Sequence, residues 1–280
     1  MANRNFRDLL ESQWSKGNFV CVGLDTEFDS IPERVRYASP QNAMCTFNRE
    51  IVDATKDLVC AYKPNTAFYE AHGSEGISIL RETIEYIHQV APDVPVILDA
   101  KRADIGNTNK GYARFAFDLL GADAITVHPY LGAEAMKPFL DRKEKGVIVL
   151  CRTSNPGAGE FQDLRIDGEP LCRVYRVVAH NVATKWNANG NCAVVVGATY
   201  PEELGEVRAI VGDMPILIPG IGAQGGDVEK TVRAGQDSRG QGMIINSSRG
   251  IIFASKLGDF DEAARRETIK LRDSINQYRK

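Results

Sequence analysis

The sequence predicts an α/β protein, a (β/α)₈ (TIM) barrel, from two observations. Eight short apolar runs alternate with segments of helical character along the whole chain. Strands that alternate with helices form right-handed βαβ units around a parallel sheet. Eight such units in 280 residues suit one barrel domain over 1–280. A doubly wound open sheet is the alternative.

Each apolar run predicts one buried strand. In chain order the runs are FVCVGLD (19–25), LVCAYKP (58–64), VPVILDAK (94–101), AITVHP (124–129), GVIVLCRTS (146–154), CAVVVGAT (192–199), PILIPG (215–220) and GMIINSS (242–248).

Helix signals lie between these runs. Residues 39–57 have Ser39 as a candidate N-cap, Pro40 at the first helical position and apolar residues on one face, and residues 76–90 have the same periodicity. The opening helix has one apolar face, which predicts that it caps the N-terminal end of the barrel.

The longest connection, 155–191, contains an Asp-Gly pair, which is a hairpin signal. We therefore expect a hairpin-like insertion near 155–171, followed by a helix over 172–187.

Composition excludes several functions. The net charge of −3 and pI near 5.9 give no electrostatic reason for nucleic-acid binding. No apolar run approaches the roughly 20 residues that span a bilayer, and the first 14 residues are too polar for a signal peptide. The four histidines are scattered and the six cysteines form no CxxC pair, so a zinc site is not expected. We expect a reduced, cytosolic protein.

Polar residues recur where the predicted strands end. The carboxyl ends of barrel strands carry the active site, whereas the alternative is that strand ends simply become solvated. For His128 and Thr199 the two interpretations have equal weight. In chain order these residues are Asp25, Lys63, Asp99, Lys101, His128, Ser154, Thr199, Gln224 and Arg249.

The stretch LDAKRADIGNT (98–108) has the densest charge of these strand ends. Side chains alternate along a strand, so Asp99 and Lys101 are expected to share a face, with Asp104 just beyond. A lysine between carboxylates stays protonated, which makes it a poor nucleophile but a suitable proton donor or countercharge to a carbanion. The alternative is a purely structural ion-pair network.

Two glycine- or serine-containing loops follow the last two strands, PGIGAQGGD (219–227) and NSSRG (246–250). Glycine lets backbone N–H groups approach an anion, and Arg249 adds a guanidinium that is always charged and can donate several hydrogen bonds. Barrels often bind a substrate phosphate at these two loops. The sequence therefore predicts a phosphorylated small-molecule substrate and proton or carbanion chemistry.

These motifs resemble one known family. LDAKRAD matches the D-x-K-x-x-D signature of orotidine 5′-phosphate decarboxylases, and DAKRADIGNT resembles their second bacterial subfamily. GLD, YKPN, SNPG, PGIGAQGGD and SSRGI also match in order, from about residue 20 to 255. The resemblance implies a homodimer of barrels that converts orotidine 5′-phosphate into UMP and CO₂, the final step of UMP synthesis, with no cofactor and no metal.

The resemblance also implies roles for individual residues. Lys101 would protonate C6 of the pyrimidine as CO₂ leaves, and Asp99 would lie against the departing carboxylate. Asp104 would reach into the neighbouring subunit's site, with Ile105 and Thr108 beside it.

The remaining implied roles concern substrate binding. Asp25 and Lys63 would contact the ribose, Ser154 would read the pyrimidine, and Gln224 and Arg249 would hold the phosphate. Many members of the family have Val-Gly before this arginine, whereas this chain has Ser247-Ser248, so the backbone contacts there do not carry over.

Two rival functions remain. Related barrels with the same signature act on sugar phosphates through Mg²⁺ and place an acidic ligand at the end of strand 2, where this chain has Lys63. The second rival is a non-catalytic phosphate-binding protein, which would not need all the charges of the signature.

Overall fold

The computed structural model describes residues 4–36, 39–168, 173–221 and 226–280. Eight parallel strands form one sheet in the order β2-β1-β8-β7-β6-β5-β4-β3. The strands are β1 Val20–Gly23, β2 Val59–Lys63, β3 Ile97–Arg102, β4 Ala124–Val127, β5 Gly146–Arg152, β6 Cys192–Val196, β7 Ile216–Pro219 and β8 Met243–Ser247. The predicted fold class is confirmed.

The two outer strands of this order, β2 and β3, meet through two isolated parallel bridges. These join Tyr62 to Val96 and Asn65 to Asp99, and the Asp99 N–H donates to the Pro64 carbonyl at 2.9 Å. The sheet is therefore a nearly closed barrel whose closing seam reaches Asp99.

Helices and short helical turns connect the strands. The α-helices are α1 Phe6–Ser15, α2 Glu33–Arg36, α3 Pro40–Thr55, α4 Thr66–Glu70, α5 Gly73–Val90, α6 Gly106–Ala113, α7 Gly132–Leu140, α8 Gly159–Gln162, α9 Val174–Asn181, α10 Pro201–Val211, α11 Val228–Gly235, α12 Arg249–Ile252 and α13 Phe260–Tyr278. As the sequence predicts, Ser39 is the N-cap of α3 and its side chain accepts from the Asn42 N–H.

Helix α1 packs under the N-terminal ends of the strands. Its Phe6, Leu10 and Trp14 side chains are buried, and the Trp14 indole donates to the carbonyl of Met243, the first residue of β8, at 2.8 Å. Because this end of the barrel is covered, a ligand has access at the carboxyl ends of the strands.

The connection after β5 contains a 3₁₀ turn, Pro156–Ala158, then α8. An antiparallel bridge joins Arg165 to Arg173, on either side of residues 169–172, which lie outside the described residues. Helix α9 then continues as π-helix over Val182–Trp186. The hairpin-like insertion and the single-domain organisation stay predictions.

Within the described ranges, five cysteines are free and buried, namely Cys21, Cys45, Cys60, Cys151 and Cys192. In the parts of the chain that the structure describes, no helix has the length and apolarity needed to cross a bilayer.

Candidate active site

The carboxylate of Asp99, in β3, is the centre of the candidate site. Its Oδ1 accepts from Lys101 Nζ at 2.7 Å and from Thr126 Oγ1 at 2.8 Å. Its Oδ2 accepts from Lys63 Nζ at 3.0 Å and, more distantly, from Asn65 Nδ2 at 3.4 Å. Three neighbouring strands therefore hold one carboxylate through four donors.

The charges in this cluster stabilise one another. Burial by itself would raise the pKa of Asp99, but the ammonium groups of Lys63 and Lys101 outweigh it and hold that pKa well below its usual range. Burial would likewise lower the pKa of Lys63, but Asp99 and Asp25 outweigh it and raise that pKa above its ordinary value. Asp99 is therefore an anion and Lys63 a cation at neutral pH.

The backbone between Asp99 and Lys101 is irregular. Leu98 is the partner of Ile125 and Arg102 is the partner of Val127, so the three residues 99–101 of β3 lie opposite the single residue Thr126 of β4. The regular alternation expected from the sequence is therefore wrong at this point.

Lys101 has a φ of 46°, the one positive φ among the non-glycine residues that the structure describes. Such backbone costs on the order of 1–3 kcal/mol and persists where its surroundings over-determine it, often at active sites. Lys101 contacts Asp99 from within this bulge and not from a regularly pleated strand. The Lys101 side chain is 49% exposed, so it is half-open to solvent.

Asp104, Ile105 and Thr108 lie on the loop after β3 and on α6. The side chain of Asp104 accepts from the Ile105 N–H at 2.6 Å, and Asn109 binds the backbone N–H and carbonyl of Asp104 at 2.8 and 2.6 Å. Asp104 forms no ion pair with any described residue of its own chain, and its carboxylate contacts the Ile105 N–H. Ile105 is 62% exposed, and Thr108 is also exposed.

Asp25 lies just past the end of β1. Its Oδ1 is 3.8 Å from Lys63 Nζ, and this atom is buried without a hydrogen-bond partner among the described residues. A ligand hydroxyl at this position would satisfy it.

A cavity of about 160 Å³ lies at the carboxyl ends of β1, β2, β3, β7 and β8. Its lining joins the charged cluster to the loops after β7 and β8, and consists of Asp25, Lys63, Asp99, Pro219, Gly220, Ile221, Asn246, Ser247, Ser248 and Arg249. Four of the residues that the sequence predicts for the site therefore share one cavity.

The predicted phosphate end of this cavity is described in part. Gln224 lies outside the described residues. The Arg249 side chain is exposed at the start of α12 and makes no hydrogen bond or ion pair with a described residue. A Cβ on Gly23 would overlap the Ser248 hydroxyl, so the glycine of the GLD motif lets β1 lie directly against this turn.

The other predicted strand-end residues occupy separate positions. Ser154 follows β5 and packs on Gly197, where a Cβ would lie 2.6 Å from that of Ser154. His128 Nδ1 accepts from the Tyr130 N–H at 3.3 Å, as in a local turn. Thr199 Oγ1 is buried with no hydrogen-bond partner in the described part of the chain. None of the three lines the cavity.

Sequence reasoning missed two residues that contact Asp99. Asn65 belongs to the YKPN motif and caps α4, its Oδ1 accepting from the Ala67 N–H at 3.1 Å. Thr126 lies inside the strand AITV, and a β-branched residue in a strand does not by itself indicate a functional site. The one sequence feature that could have indicated it is a polar residue within an apolar run, next to the charged strand.

A larger groove of about 500 Å³ lies between α6 and α7, on the outside of the barrel. Its lining includes Gly106, Lys110, Glu134 and Lys137 but none of the residues around Asp99. The smaller cavity has the convergent charges and is the better candidate for an active site.

The arrangement suits the stabilisation of a carbanion. A fixed ammonium, Lys101, lies beside a permanent carboxylate, and a second, buried ammonium, Lys63, compensates that carboxylate. No group of three His, Cys, Asp or Glu side chains that could hold a metal occurs within the described ranges.

The chain is similar to known proteins over almost its whole length. Residues 18–266 match the model of the family described as Orotidine 5′-phosphate decarboxylase / HUMPS family. A curated protein of Ralstonia pickettii (strain 12J), named orotidine 5′-phosphate decarboxylase, is 51% identical over 275 residues, which cover 98% of this chain and 99% of that protein. A protein of the same name from Cellvibrio japonicus (strain Ueda107) is 47% identical, with 98% and 99% covered.

The fold of this chain is also similar to that of solved structures. The OMP decarboxylase of Leishmania donovani superposes with a TM-score of 0.81 at 38% identity, covering 96% of this chain and 99% of that chain. The UMP synthase of the same organism has a TM-score of 0.87 at 38% identity, and 98% of this chain covers 56% of that longer protein. Both the family model and the relatives span nearly the whole sequence, so this chain belongs to the orotidine 5′-phosphate decarboxylase / HUMPS family.

Proposed function

We propose that this protein decarboxylates orotidine 5′-phosphate to UMP and CO₂, the final step of de novo UMP synthesis. The observation that carries the proposal is the Asp99 carboxylate, fixed between two ammonium groups at the edge of a cavity that extends to the predicted phosphate loops. Relatives of almost equal length that carry the name of this carboxy-lyase support it.

In the proposed reaction the bond between C6 and the carboxylate breaks, and its electron pair stays on C6 as CO₂ leaves. Lys101 transfers its Nζ proton to C6 and regains one from solvent, to which it is half-open. The positive charge of Lys101 also stabilises the developing carbanion. Asp99, which stays ionised, lies where it would repel the substrate carboxylate and favour its departure.

Substrate binding follows the same geometry. Asp25 and Lys63 bind the ribose, since the unsatisfied Asp25 oxygen accepts a hydroxyl and Lys63 is next to it. Arg249 and Gln224 hold the phosphate, and Ser154 reads the pyrimidine ring. These assignments rest on the cavity lining for Asp25, Lys63 and Arg249, and on the motifs for the other two.

The proposed chemistry needs no metal or other cofactor. The Lys63 ammonium is 3.0 Å from Asp99 and 3.8 Å from Asp25, so a protein cation already stands between the two carboxylates that would otherwise hold Mg²⁺. Activity should therefore survive exhaustive dialysis against EDTA. Activity that is lost and then restored by Mg²⁺ would favour the sugar-phosphate rival.

We further propose a homodimer with shared active sites. Asp104 forms no ion pair with a described residue of its own chain, although it follows the charged strand directly. Large apolar side chains are exposed after β3 and after β4, Ile105 at 62% and Tyr130 at 83%. Exposed apolar side chains at these neighbouring strand ends suit an interface, through which Asp104, Ile105 and Thr108 enter the partner's site. Neither nucleic acid nor a membrane is a proposed partner, and the proposed location is the cytoplasm.

The test is the loss of absorbance as purified protein consumes orotidine 5′-phosphate. Lys101→Ala should lower kcat by about 10²-fold or more, because it removes both the proton donor and the countercharge. The matched control is Lys270→Ala on α13, whose side chain is 77% exposed and pairs with Glu267 at the surface. A Lys101→Ala protein that keeps more than about a tenth of wild-type turnover would contradict the proposed mechanism.

A further inference from the structure

We propose that Thr126 is a positioning residue, whose hydroxyl fixes the Asp99 carboxylate and the strained Lys101 backbone in one hydrogen-bonded unit. Thr126 Oγ1 is 2.8 Å from Asp99 Oδ1 and 2.9 Å from the Lys101 backbone nitrogen. The catalytic role of these two neighbours rests on the proposed function. The positioning role of Thr126 rests on the geometry alone.

The hydrogen-bond directions are determined. The Lys101 N–H can only donate and the ionised Asp99 carboxylate can only accept. The Thr126 hydroxyl must therefore accept from the first and donate to the second, which uses its one proton. Few side chains can do both at this distance, and a serine or threonine hydroxyl is the smallest of them.

The bulge in β3 explains why a side chain is needed here. Asp99, Ala100 and Lys101 lie opposite Thr126 alone, and the backbone ladder resumes where the His128 N–H donates to the Arg102 carbonyl at 3.0 Å. At the bulge the Lys101 N–H donates to the Thr126 hydroxyl, at a position where a regular ladder would supply a strand carbonyl. This bond is the contact that the structure shows for the positive-φ backbone of Lys101.

Thr126 also decides where Lys101 places its ammonium. Asp99 Oδ1 receives both the Thr126 hydroxyl and Lys101 Nζ, at 2.8 and 2.7 Å. Thr126 is 1% exposed and does not line the cavity, so it has no route to the substrate. Its loss should therefore impair the chemical step rather than substrate binding.

Two substitutions separate the hydroxyl from the methyl group. Thr126→Val keeps the shape and removes the hydroxyl, whereas Thr126→Ser keeps the hydroxyl and removes the methyl. We expect Thr126→Val to lower kcat by about 10- to 100-fold, since misplacement by about 1 Å can cost about 100-fold, with KM changed less than about threefold. Thr126→Ser should keep kcat within about threefold of wild type.

The reverse order would overturn the proposal. If Thr126 only fills space in β4, the serine variant, which leaves a void, should be the more impaired and the less stable to heat. A valine variant with more than half of the wild-type kcat would also overturn it.

A second readout does not depend on turnover. In the crystal structure of Thr126→Val, Lys101 should leave its positive φ or its Nζ should move out of hydrogen-bond distance from Asp99, whereas Thr126→Ser should retain both. An unchanged geometry in the valine variant would contradict the proposal whatever the substrate. If wild-type protein leaves orotidine 5′-phosphate intact while the crystal structures behave as expected, the proposed function fails and the positioning role of Thr126 stands.

Discussion

At the scale of single residues, Asp99 organises the site because each of its two carboxylate oxygens accepts hydrogen bonds from two side chains. Exposed ion pairs contribute little to stability, and breaking a buried pair is costly because it leaves an unpaired charge. Asp99 and Lys63 are 8% and 4% exposed. We therefore expect any change that removes one of these charges to disturb the other as well.

Arg249 offers a prediction on substrate selectivity. Arg249→Ala should lower kcat/KM for orotidine 5′-phosphate by about 10- to 100-fold, because a hydrogen bond to a charged group is worth about 1.5–3 kcal/mol. Residual activity on orotidine, which has no phosphate, should barely change. Steady-state kinetics on both substrates measures the difference.

The control for this variant is Arg266→Ala on α13, whose side chain is 60% exposed and pairs with Asp259 at the surface. An equal loss on both substrates would mean that Arg249 supports the fold and not the phosphate.

The charged residues of the site could be predicted from sequence because they interrupt apolar strands. Asp25, Lys63, Asp99 and Arg249 do line one cavity. Thr126 could not be predicted in this way, because threonine is common in strands and its role depends on a bulge two residues long. A bulge leaves no mark in hydrophobic periodicity.

At the scale of secondary-structure elements, one buried carboxylate joins the N-terminal segment to the start of β4. Asp123, which directly precedes β4, is fully buried and accepts two hydrogen bonds from Arg4, at 2.9 and 2.8 Å. It also accepts from the Val96 N–H at 2.9 Å, and His88 Nε2 lies 3.3 Å away. This cluster lies at the opposite end of the barrel from the site.

The cluster predicts a dependence of stability on pH. Burial alone would raise the pKa of Asp123, but its hydrogen bonds to Arg4 and His88 outweigh burial and lower that pKa to about 2. The folded pKa is below the unfolded value of about 3.9. Asp123 therefore contributes stability that is fully present above the unfolded value and is lost as the pH falls from about 4 to about 2.

Asp123→Asn should lower the free energy of unfolding at neutral pH by about 2–3 kcal/mol, since the variant loses the stabilisation that lowers the pKa of the Asp123 carboxyl. The difference from wild type should shrink toward pH 2, as measured by urea denaturation. Asp273→Asn, at an exposed residue paired with Arg272, is the control. A difference that stays constant from neutral pH to acid would show that Asp123 does not act through its charge.

The elements themselves were largely predictable. Each predicted apolar run contains a strand, because a strand buried on both faces must be apolar throughout. The polar end of seven of the eight runs extends past the strand by one to three residues, since the motif continues into the loop. The exception is β3, which continues one residue past its run, to Arg102. Short helices such as α8 and α12 were not predicted, because a single turn has no periodicity to detect.

At the scale of the whole molecule, the proposed shared site gives a complementation test. Homodimers of Lys101→Ala and of Asp104→Ala should both be nearly inactive. After subunit exchange, each mixed dimer has one doubly altered site and one intact site, because a two-fold interface is isologous. With equal amounts and random exchange, about a quarter of all sites should be intact, and activity should rise toward that fraction.

Exchange is verified by pull-down of a tagged subunit. Activity that stays at the level of the variants despite proven exchange would mean that Asp104 serves its own chain's site or that the dimer is not formed. The family, the fold class and the enzyme class expected from the sequence are confirmed by the relatives and the barrel, whereas the dimer stays a prediction.

The seam between β2 and β3 has a consequence for how the molecule moves. Only two bridges join these strands, and one of them joins Asn65 to Asp99, so any loosening of the ring at this seam parts Lys63 from Asp99. A ligand that contacts Lys63 on β2 and Lys101 on β3 would hold these two strands together across the seam. Binding and ring closure would then be linked equilibria, so that a ligand bound across the seam would stabilise the closed ring.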